Sequence, residues 1–441
     1  MHVFKNFHIS DPGTFCKKLL TWGREYKRIS VLCSNNYRKI FTDNNAGHRY
    51  DLIAAMGSVD EMSIKGDSWL ESLKEYTLST GDWLFGHIGY DLKNEIENLE
   101  SNHYDRINFP VAGFFVPKYI FIVCDNSLSV GWHKGSCNND EAMDLLSQID
   151  NSALPDLKLQ RIPEIKEVIS RSDYLDAVKK IKEHLQRGDI YEVNFCQEFY
   201  SEKAHIDPVS TWIRLINKSP TPFSCYYRQN DSYLLCSSPE RFLKKTGNRI
   251  ISQPIKGTAA RGKTRKEDIM MAKTLSADVK ERAENIMIAD LVRNDLSKIA
   301  TKASVKVDEL CAVYPYPGVH QMQASVSALL PENINFTDII RATFPMGSMT
   351  GAPKLKSMEI IEKYEKTRRG LYSGTVGYIK PDMDFDFNVV IRSIQYNSLS
   401  SCLSFMVGGA ITNLSVPENE YRECLLKASA IINVLTGKKR S

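Results

Sequence analysis

The sequence has no stretch apolar enough to cross a bilayer, no block of like charge before its last residues and no close pair of cysteines, and each lack removes a class of function. Its most apolar segment, 111–124, is interrupted by Pro117 and Lys118 and falls short of the ~20 residues of a spanning helix. It reads as two strands, and no membrane is expected. The 57 basic and 53 acidic residues nearly balance at a net +4, and apart from Lys438-Lys439-Arg440 no charge run offers a nucleic-acid footprint. That small excess suits a dianionic small substrate or simply a solvated surface. The ten cysteines are scattered singly from Cys16 to Cys424, so neither zinc ligation nor a disulfide framework is indicated, and reduced thiols in a cytoplasm are expected. Met1 to Ser10 lacks the basic-then-apolar order of a secretory signal. No Gly-x-Ser-x-Gly or His-Glu-x-x-His occurs. Gly347 to Lys354 has three residues between its glycines where a phosphate loop has four, which argues against a nucleotide triphosphatase.

What is present is an ordinary globular composition, 42% hydrophobic and 25% charged, in 441 residues, more than one core organises. Short apolar runs between turn signals fill residues 1 to about 125. A polar stretch from Asn126 to about Pro163, holding Gly135, Asn138 and Asn139, is the best boundary, which divides the chain into 1–150 and 151–441. Beyond it, Ser172 is placed to cap a helix with Leu175, Val178, Ile181 and Leu185 on one stripe, ended by Gly188. Alternating segments at 190–195, 232–236, 376–379, 387–394 and 403–407 read as strands. Short turns between several of them favour antiparallel pairing.

Two helical patterns carry acids toward the core. In the helix expected over about 276–291, Glu284 shares the stripe of Met287, Ile288 and Leu291, and Glu281 lies one turn earlier. An inward carboxylate needs a cation, either a metal ion or a neighbouring arginine. The last helix opens at Pro417, with Glu420, Glu423 and Lys427 on the flank of an apolar arc running from Tyr421 to Leu435. Glu423 and Lys427 are spaced for a surface salt bridge, and acids on two helices also suit Mg²⁺; spacing leaves both open. Glycines at 347 and 351, 374 and 377, and 408 and 409 mark tight turns or places where backbone approaches a ligand. Lys256 sits in an expected turn at 254–258. To act as a nucleophile it must lose its proton at neutral pH, against an ordinary pKa of ~10.4.

Taken in order, these motifs resemble the chorismate-utilising enzymes. The resemblance spans about Ser172 to Leu435. It is carried by Ser237-Ser238-Pro239-Glu240-Arg241-Phe242, by Pro254 to Thr258, by Arg282-Ala283-Glu284-Asn285 leading to Asp290-Leu291-Val292-Arg293-Asn294-Asp295, by Gly351-Ala352-Pro353-Lys354, by Arg369-Gly370-Leu371-Tyr372-Ser373-Gly374, and by Gly408 to Lys427. Residues 1 to about 125, with Gly86-His87-Ile88-Gly89-Tyr90-Asp91, look like the N-terminal region of the amino-transferring members. The resemblance implies an α+β fold of two large antiparallel β-sheets packed face to face with surrounding helices.

For chemistry, the resemblance implies amination of chorismate. At the position of Lys256 the members that form anthranilate typically carry alanine, and those that form aminodeoxychorismate carry lysine. By that resemblance Lys256 attacks C2 of chorismate, Glu240 protonates the departing C4 hydroxyl, and ammonia then displaces the lysine by attacking C4. Glu284 and Glu423, with Glu420 nearby, are the implied Mg²⁺ ligands. Tyr372 and Arg392 match positions that hold the enolpyruvyl carboxylate, where a guanidinium fork suits a planar anion. Gly408, Gly409 and Ala410 would offer backbone amides, Thr258 and His320 would line the site, and Lys427 would neutralise carboxylate charge. His320 reads equally well as a hydrogen-bonded core histidine. At Glu192 the water-adding members typically have a base lysine and the aminating ones more often glutamine. Ammonia is expected from a glutamine amidotransferase partner, because Gly135-Ser136-Cys137-Asn138 lacks the closing glycine of a Gly-x-Cys-x-Gly turn. The implied pathway is folate synthesis. The competing expectations are anthranilate formation and a catalytically silent subunit that binds chorismate or an amino acid.

Overall fold

A computed structural model describes residues 1–37, 50–64, 66–135, 139–159, 162 and 164–437. Ser136, Cys137, Asn138, Pro163 and the basic tail at Lys438, Lys439 and Arg440 lie outside the described residues. All nine described cysteines are free thiols. No described helix is long and apolar enough to cross a membrane.

The architecture is α+β, and among the described residues every strand pairing is antiparallel. One sheet runs through Ser127–His133, Ala112–Cys124, Leu52–Glu61, Arg28–Cys33, Phe223–Gln229, Ser232–Ser238, Ser393–Asn397, Cys402–Ile411 and Glu192–Ser201. The other leaves the same Ala112–Cys124 strand through Leu84–Ile88, Thr375–Ile379, Phe385–Asn388, Arg241–Thr246 and Arg249–Gln253 to Val319–Leu329. Ile255–Ala260 and Lys306–Tyr316 flank that last strand. Segments before residue 150 therefore lie inside both sheets, Arg28–Cys33 beside Phe223–Gln229 and Leu84–Ile88 beside Thr375–Ile379.

The segment expected as two strands is one, Ala112–Cys124, and it passes straight through Pro117. Pro117 has no N–H to give a ladder, and the partner strand accommodates it with a register break between Ser58 and Asp60, next to Gly57 at φ +69°. Because this strand pairs with both sheets, it is the fold line between them. Ile53, Tyr227 and Leu234 of one sheet pack with Phe85, Val376 and Tyr378 of the other in a single buried cluster, so the sheets face each other.

Helices cover the two outer faces. Leu19, Val178, Trp212 and Ile432 cover one sheet, and Leu73, Ala289 and Ile339 the other. The helix Arg171–Arg187 is capped by Ser170, whose side chain accepts from Asp173 N–H, and not by Ser172, which falls inside the first turn. Gly188 ends it in the left-handed conformation, as the sequence indicates. The helix expected over 276–291 is Val279–Ser297, started by Asp278, and Arg265–Ala277 precedes it as a separate helix with a capping box at Thr264 and Glu267. The last helix, Pro417–Thr436, begins where proline favours it.

Candidate active site

The strand Glu192–Ser201 shows how alternation builds the site. Val193, Phe195 and Phe199 enter the core beneath the helices, so Glu192, Asn194, Cys196 and Glu198 project to the opposite face, toward the other sheet. Glu192 reaches Lys256 there: Lys256 Nζ donates to Glu192 Oε1 at 2.8 Å, with the Glu192 side chain buried and that of Lys256 11% exposed.

Lys256 lies in the strand Ile255–Ala260 and not in a turn. Pro254 breaks the preceding strand, and Gly257 at φ +95° forms a bulge between Ile255 and Thr258. A Cβ at Gly257 would stand 3.1 Å from both Glu281 Oε2 and Met322 Cβ, so the helix Val279–Ser297 approaches the strand closely at that point. Asn285 clamps the two together, donating to the carbonyls of Lys256 and Met322 and accepting from Cys311 N–H. Burial alone would pull the Lys256 ammonium down, but the carboxylates of Glu192, Glu284 and Glu240 outweigh it and hold the ammonium above its ordinary value.

Glu240 is buried at the entrance to the strand Arg241–Thr246. Burial pushes its carboxyl up to about 7, against Ser348, Lys256, Ile255 N–H and Arg392, all of which favour the ionised form. Ser348 Oγ donates to Glu240 Oε1 at 2.6 Å. Arg392 acts on Glu240 from the left-handed backbone position at φ 49°, and its guanidinium makes no hydrogen bond or ion pair to any described residue. A small cavity lies against Glu240 and Ser348 and is lined also by Val292, Leu296 and Met346.

Glu281, Glu284, Glu420 and Glu423 bring two helices' acids to one rim. Burial pushes Glu284 up to about 7, and burial also raises Glu281 and Glu420. Each of those two feels Glu423 as a like charge. Burial would raise Glu423 as well, but Lys427 at 2.8 Å wins and lowers it. The i,i+4 pair read from spacing is therefore formed. The inward Glu284 has Lys280 at 3.8 Å for its nearest cation, not an arginine. Among the described residues no three ligating groups already form a metal-holding cluster.

Gly408, Gly409 and Ala410 belong to the strand Cys402–Ile411 and do not follow it. They pair with Cys196, Phe195 and Asn194 on one edge, while the neighbouring strand on the other edge stops opposite Ser404. Among the described residues one edge of this stretch therefore has no strand beside it. A Cβ at Gly408 would lie 2.4 Å from both Cys196 Sγ and Phe195 O, so only glycine fits. Gly409 faces Glu423, Glu420 and Lys427. Lys427 Nζ also donates to Gly408 O at 2.8 Å. Tyr372 is buried against Cys196, whose Sγ lies 3.9 Å from the phenol oxygen.

The remaining two residues stand further out. Thr258 is exposed. His320 is buried with Nε2 at 2.9 Å from Asp268, which is itself held by Arg261, while His320 Nδ1 has no partner. Sequence reasoning missed Ser348 and Asn285. Ser348 was noted only as part of a glycine cluster, and Asn285 only as a motif letter; their partners lie 108 and 29 residues away.

Comparison with known proteins adds relatives. A family model described as chorismate binding enzyme matches residues 19–433. Aminodeoxychorismate synthase component 1 of Bacillus subtilis is 34% identical over 407 residues, covering 87% of this chain and 86% of that protein. Chloroplastic anthranilate synthase alpha subunit 2 of Oryza sativa is 34% identical over 316 residues, 66% of this chain and 52% of that protein. Anthranilate synthase component I from Streptococcus pneumoniae, a solved structure, matches with a TM-score of 0.77 at 23% identity, covering 92% of both chains, and so shares the fold. The two sequence relatives bear different names, so individual residues must separate the activities.

Proposed function

The chain belongs to the chorismate binding enzyme family, and from that premise we propose that it is the chorismate-binding component of an aminodeoxychorismate synthase, converting chorismate and ammonia to 4-amino-4-deoxychorismate. The observation that carries this reading is a lysine, Lys256, held at 2.8 Å by Glu192 and acting electrostatically on the buried Glu240, whose carboxyl burial pushes up to about 7. Lys256 forms a bond to C2 of the ring as the ring double bond shifts and the C4–O bond breaks, with the Glu240 proton leaving in water. Ammonia then bonds to C4, the double bond shifts back, and the lysine amine departs from C2. Alanine at position 256 has no atom for this detour. Arg392, which makes no hydrogen bond or ion pair to a described residue, supplies a cation for a substrate carboxylate beside the acid, and Tyr372 meets Cys196, against which Gly408 also packs.

The acids of the two helices fit a divalent cation. Their mutual repulsion is relieved in part by Lys280 and Lys427, ammonium groups at places a metal ion would compete for. Glu284 and Glu423, with Glu420, would hold Mg²⁺, which needs few protein oxygens and keeps positions for substrate and water. Bound there, it would orient and neutralise the ring carboxylate. Gly408 to Ala410 would use their open strand edge for contact with the substrate, and Thr258 and His320 would line the site. A glutamine amidotransferase partner would supply the ammonia, the product would feed folate synthesis, and the free thiols suit a cytoplasmic setting.

Product identification tests the reading. The purified chain is incubated with chorismate, Mg²⁺ and ammonium beside Lys256→Ala, and products are separated and weighed by mass spectrometry. Aminodeoxychorismate from the parent chain and at least a hundredfold less from the variant is expected. Anthranilate with released pyruvate would move the assignment to the other aminating activity.

A further inference from the structure

Glu192 is absent from the steps above, yet it is the direct partner of the reacting amine. Its backbone is fixed: Ser357 Oγ donates to Glu192 O at 3.2 Å, and Gly351-Ala352 pairs with Glu192 and Val193. Its side chain is 1% exposed, with Oε1 at 2.8 Å from Lys256 Nζ and Oε2 sealed from solvent without a hydrogen-bond partner. An ionised carboxylate with an orphaned buried oxygen is a costly arrangement for a purely structural ion pair. It is a serviceable proton acceptor, because the neutral pair buries no charge.

We propose that Glu192 is a further catalytic residue, which takes the proton from the Lys256 ammonium to release the nucleophile, holds it through the covalent stage and returns it when the lysine is freed. The proposal rests on the amination reading. The balance closes as follows. Lys256-NH₃⁺ and Glu192-COO⁻ become Lys256-NH₂ and Glu192-COOH. The amine bonds to C2, and the C4 hydroxyl leaves as water with the Glu240 proton. Ammonia bonds to C4 as an ammonium group, and the C2–N bond breaks to give neutral Lys256. The Glu192 proton goes back to Lys256, and Glu240 recovers the proton that ammonium shed on becoming ammonia. Among the described residues no other carboxylate is in hydrogen-bond contact with Lys256; Glu284 and Glu240 act on it electrostatically, Lys256 is felt in turn by Glu281 and Glu423, and Arg392 acts on Glu240.

Transfer inside the pair leaves the total of bound protons unchanged, which gives the test its signature. We would measure kcat/KM for chorismate from pH 5.5 to 8.5, at constant free ammonia and saturating Mg²⁺, for the parent chain, Glu192→Gln, Glu192→Asp and Lys256→Ala. The parent should be flat on the acid side. Glu192→Gln must lose the lysine proton to solvent, so its rate should rise about tenfold per pH from 5.5 toward 7. Glu192→Asp should be slower but flat again. A flat acid side and a rate within about threefold of the parent in Glu192→Gln would overturn the proposal, and so would a rising limb in Glu192→Asp, which also serves if the Gln variant fails to fold. If Lys256→Ala still produces aminodeoxychorismate, the amination reading of Lys256 fails instead, whatever Glu192 does.

Discussion

Replacing Ser348 with alanine removes the hydroxyl that donates at 2.6 Å to Glu240, with both groups buried. That hydrogen bond favours the ionised carboxyl and restrains the upward push of burial, leaving the group at about 7. A hydrogen bond to a charged group is worth about 1.5–3 kcal/mol, and about 1.4 kcal/mol corresponds to tenfold in proton affinity. Its loss should raise the carboxyl further, toward about 8 or beyond. Glu240 must be protonated to give its proton to the C4 oxygen, so activity falls as pH rises through its pKa. The alkaline limb of kcat/KM should therefore move from about 7 to higher pH. At pH 8 the parent keeps roughly a tenth of its acid form and the variant about half, so the ratio of activity at pH 8 to that at pH 6 should rise about fivefold. Poorer orientation of the carboxyl lowers the rate at every pH without moving the limb, so the two effects separate. The assay is initial chorismate consumption at limiting chorismate and constant free ammonia. A limb that stays in place or moves to lower pH would refute the reasoning.

Glu284→Gln should stabilise the chain in a pH-dependent way. The folded carboxyl stands at about 7 against an ordinary 4.5, so the folded state binds its proton more tightly and stability is lost as pH rises between those values. The full cost is at most about 3 kcal/mol. Thermal melts should show the variant above the parent at pH 8 and level with it at pH 4, and millimolar Mg²⁺ should raise the parent's Tm at pH 8 but not the variant's. Arg392→Ala should raise KM for chorismate by about ten- to a hundredfold, from about 1.5–3 kcal/mol of charged hydrogen bonding, with a smaller change in kcat. Because Arg392 has no partner among the described residues, its Tm should hold or rise; a clear drop would show a structural role.

Local features could be read from the chain because they depend on neighbours in sequence. The stripe that turns Glu284 inward, the proline that opens the last helix and the glycine that ends Arg171–Arg187 are all set within one or two turns. Where the reading went astray, a distant partner intervened. Pro117 breaks a strand by local rules, but a bulge at Ser58 to Asp60 in the partner accommodates it. Lys256 looked like a turn residue because Pro254 and Gly257 bracket it, but pairing with Val319–Leu329 makes the segment a bulged strand. Ser172 and Ser170 are both fit to cap, and the choice went to the one that precedes the first helical turn.

By itself the sequence determined which residue types were available to the site and in what order: a lysine between Pro-Ile and Gly-Thr, an acid on the inner stripe of one helix and acids on the flank of another, and glycines that mark tight turns or places where backbone approaches a ligand. Tertiary structure alone decided which of these meet. Glu192 and Lys256 are 64 residues apart, and only the facing of two sheets folded about one shared strand closes them to 2.8 Å. The same closure removes water from Glu240 and Glu284 and moves both to about 7, because desolvation is a property of the surrounding protein and is not encoded at either position.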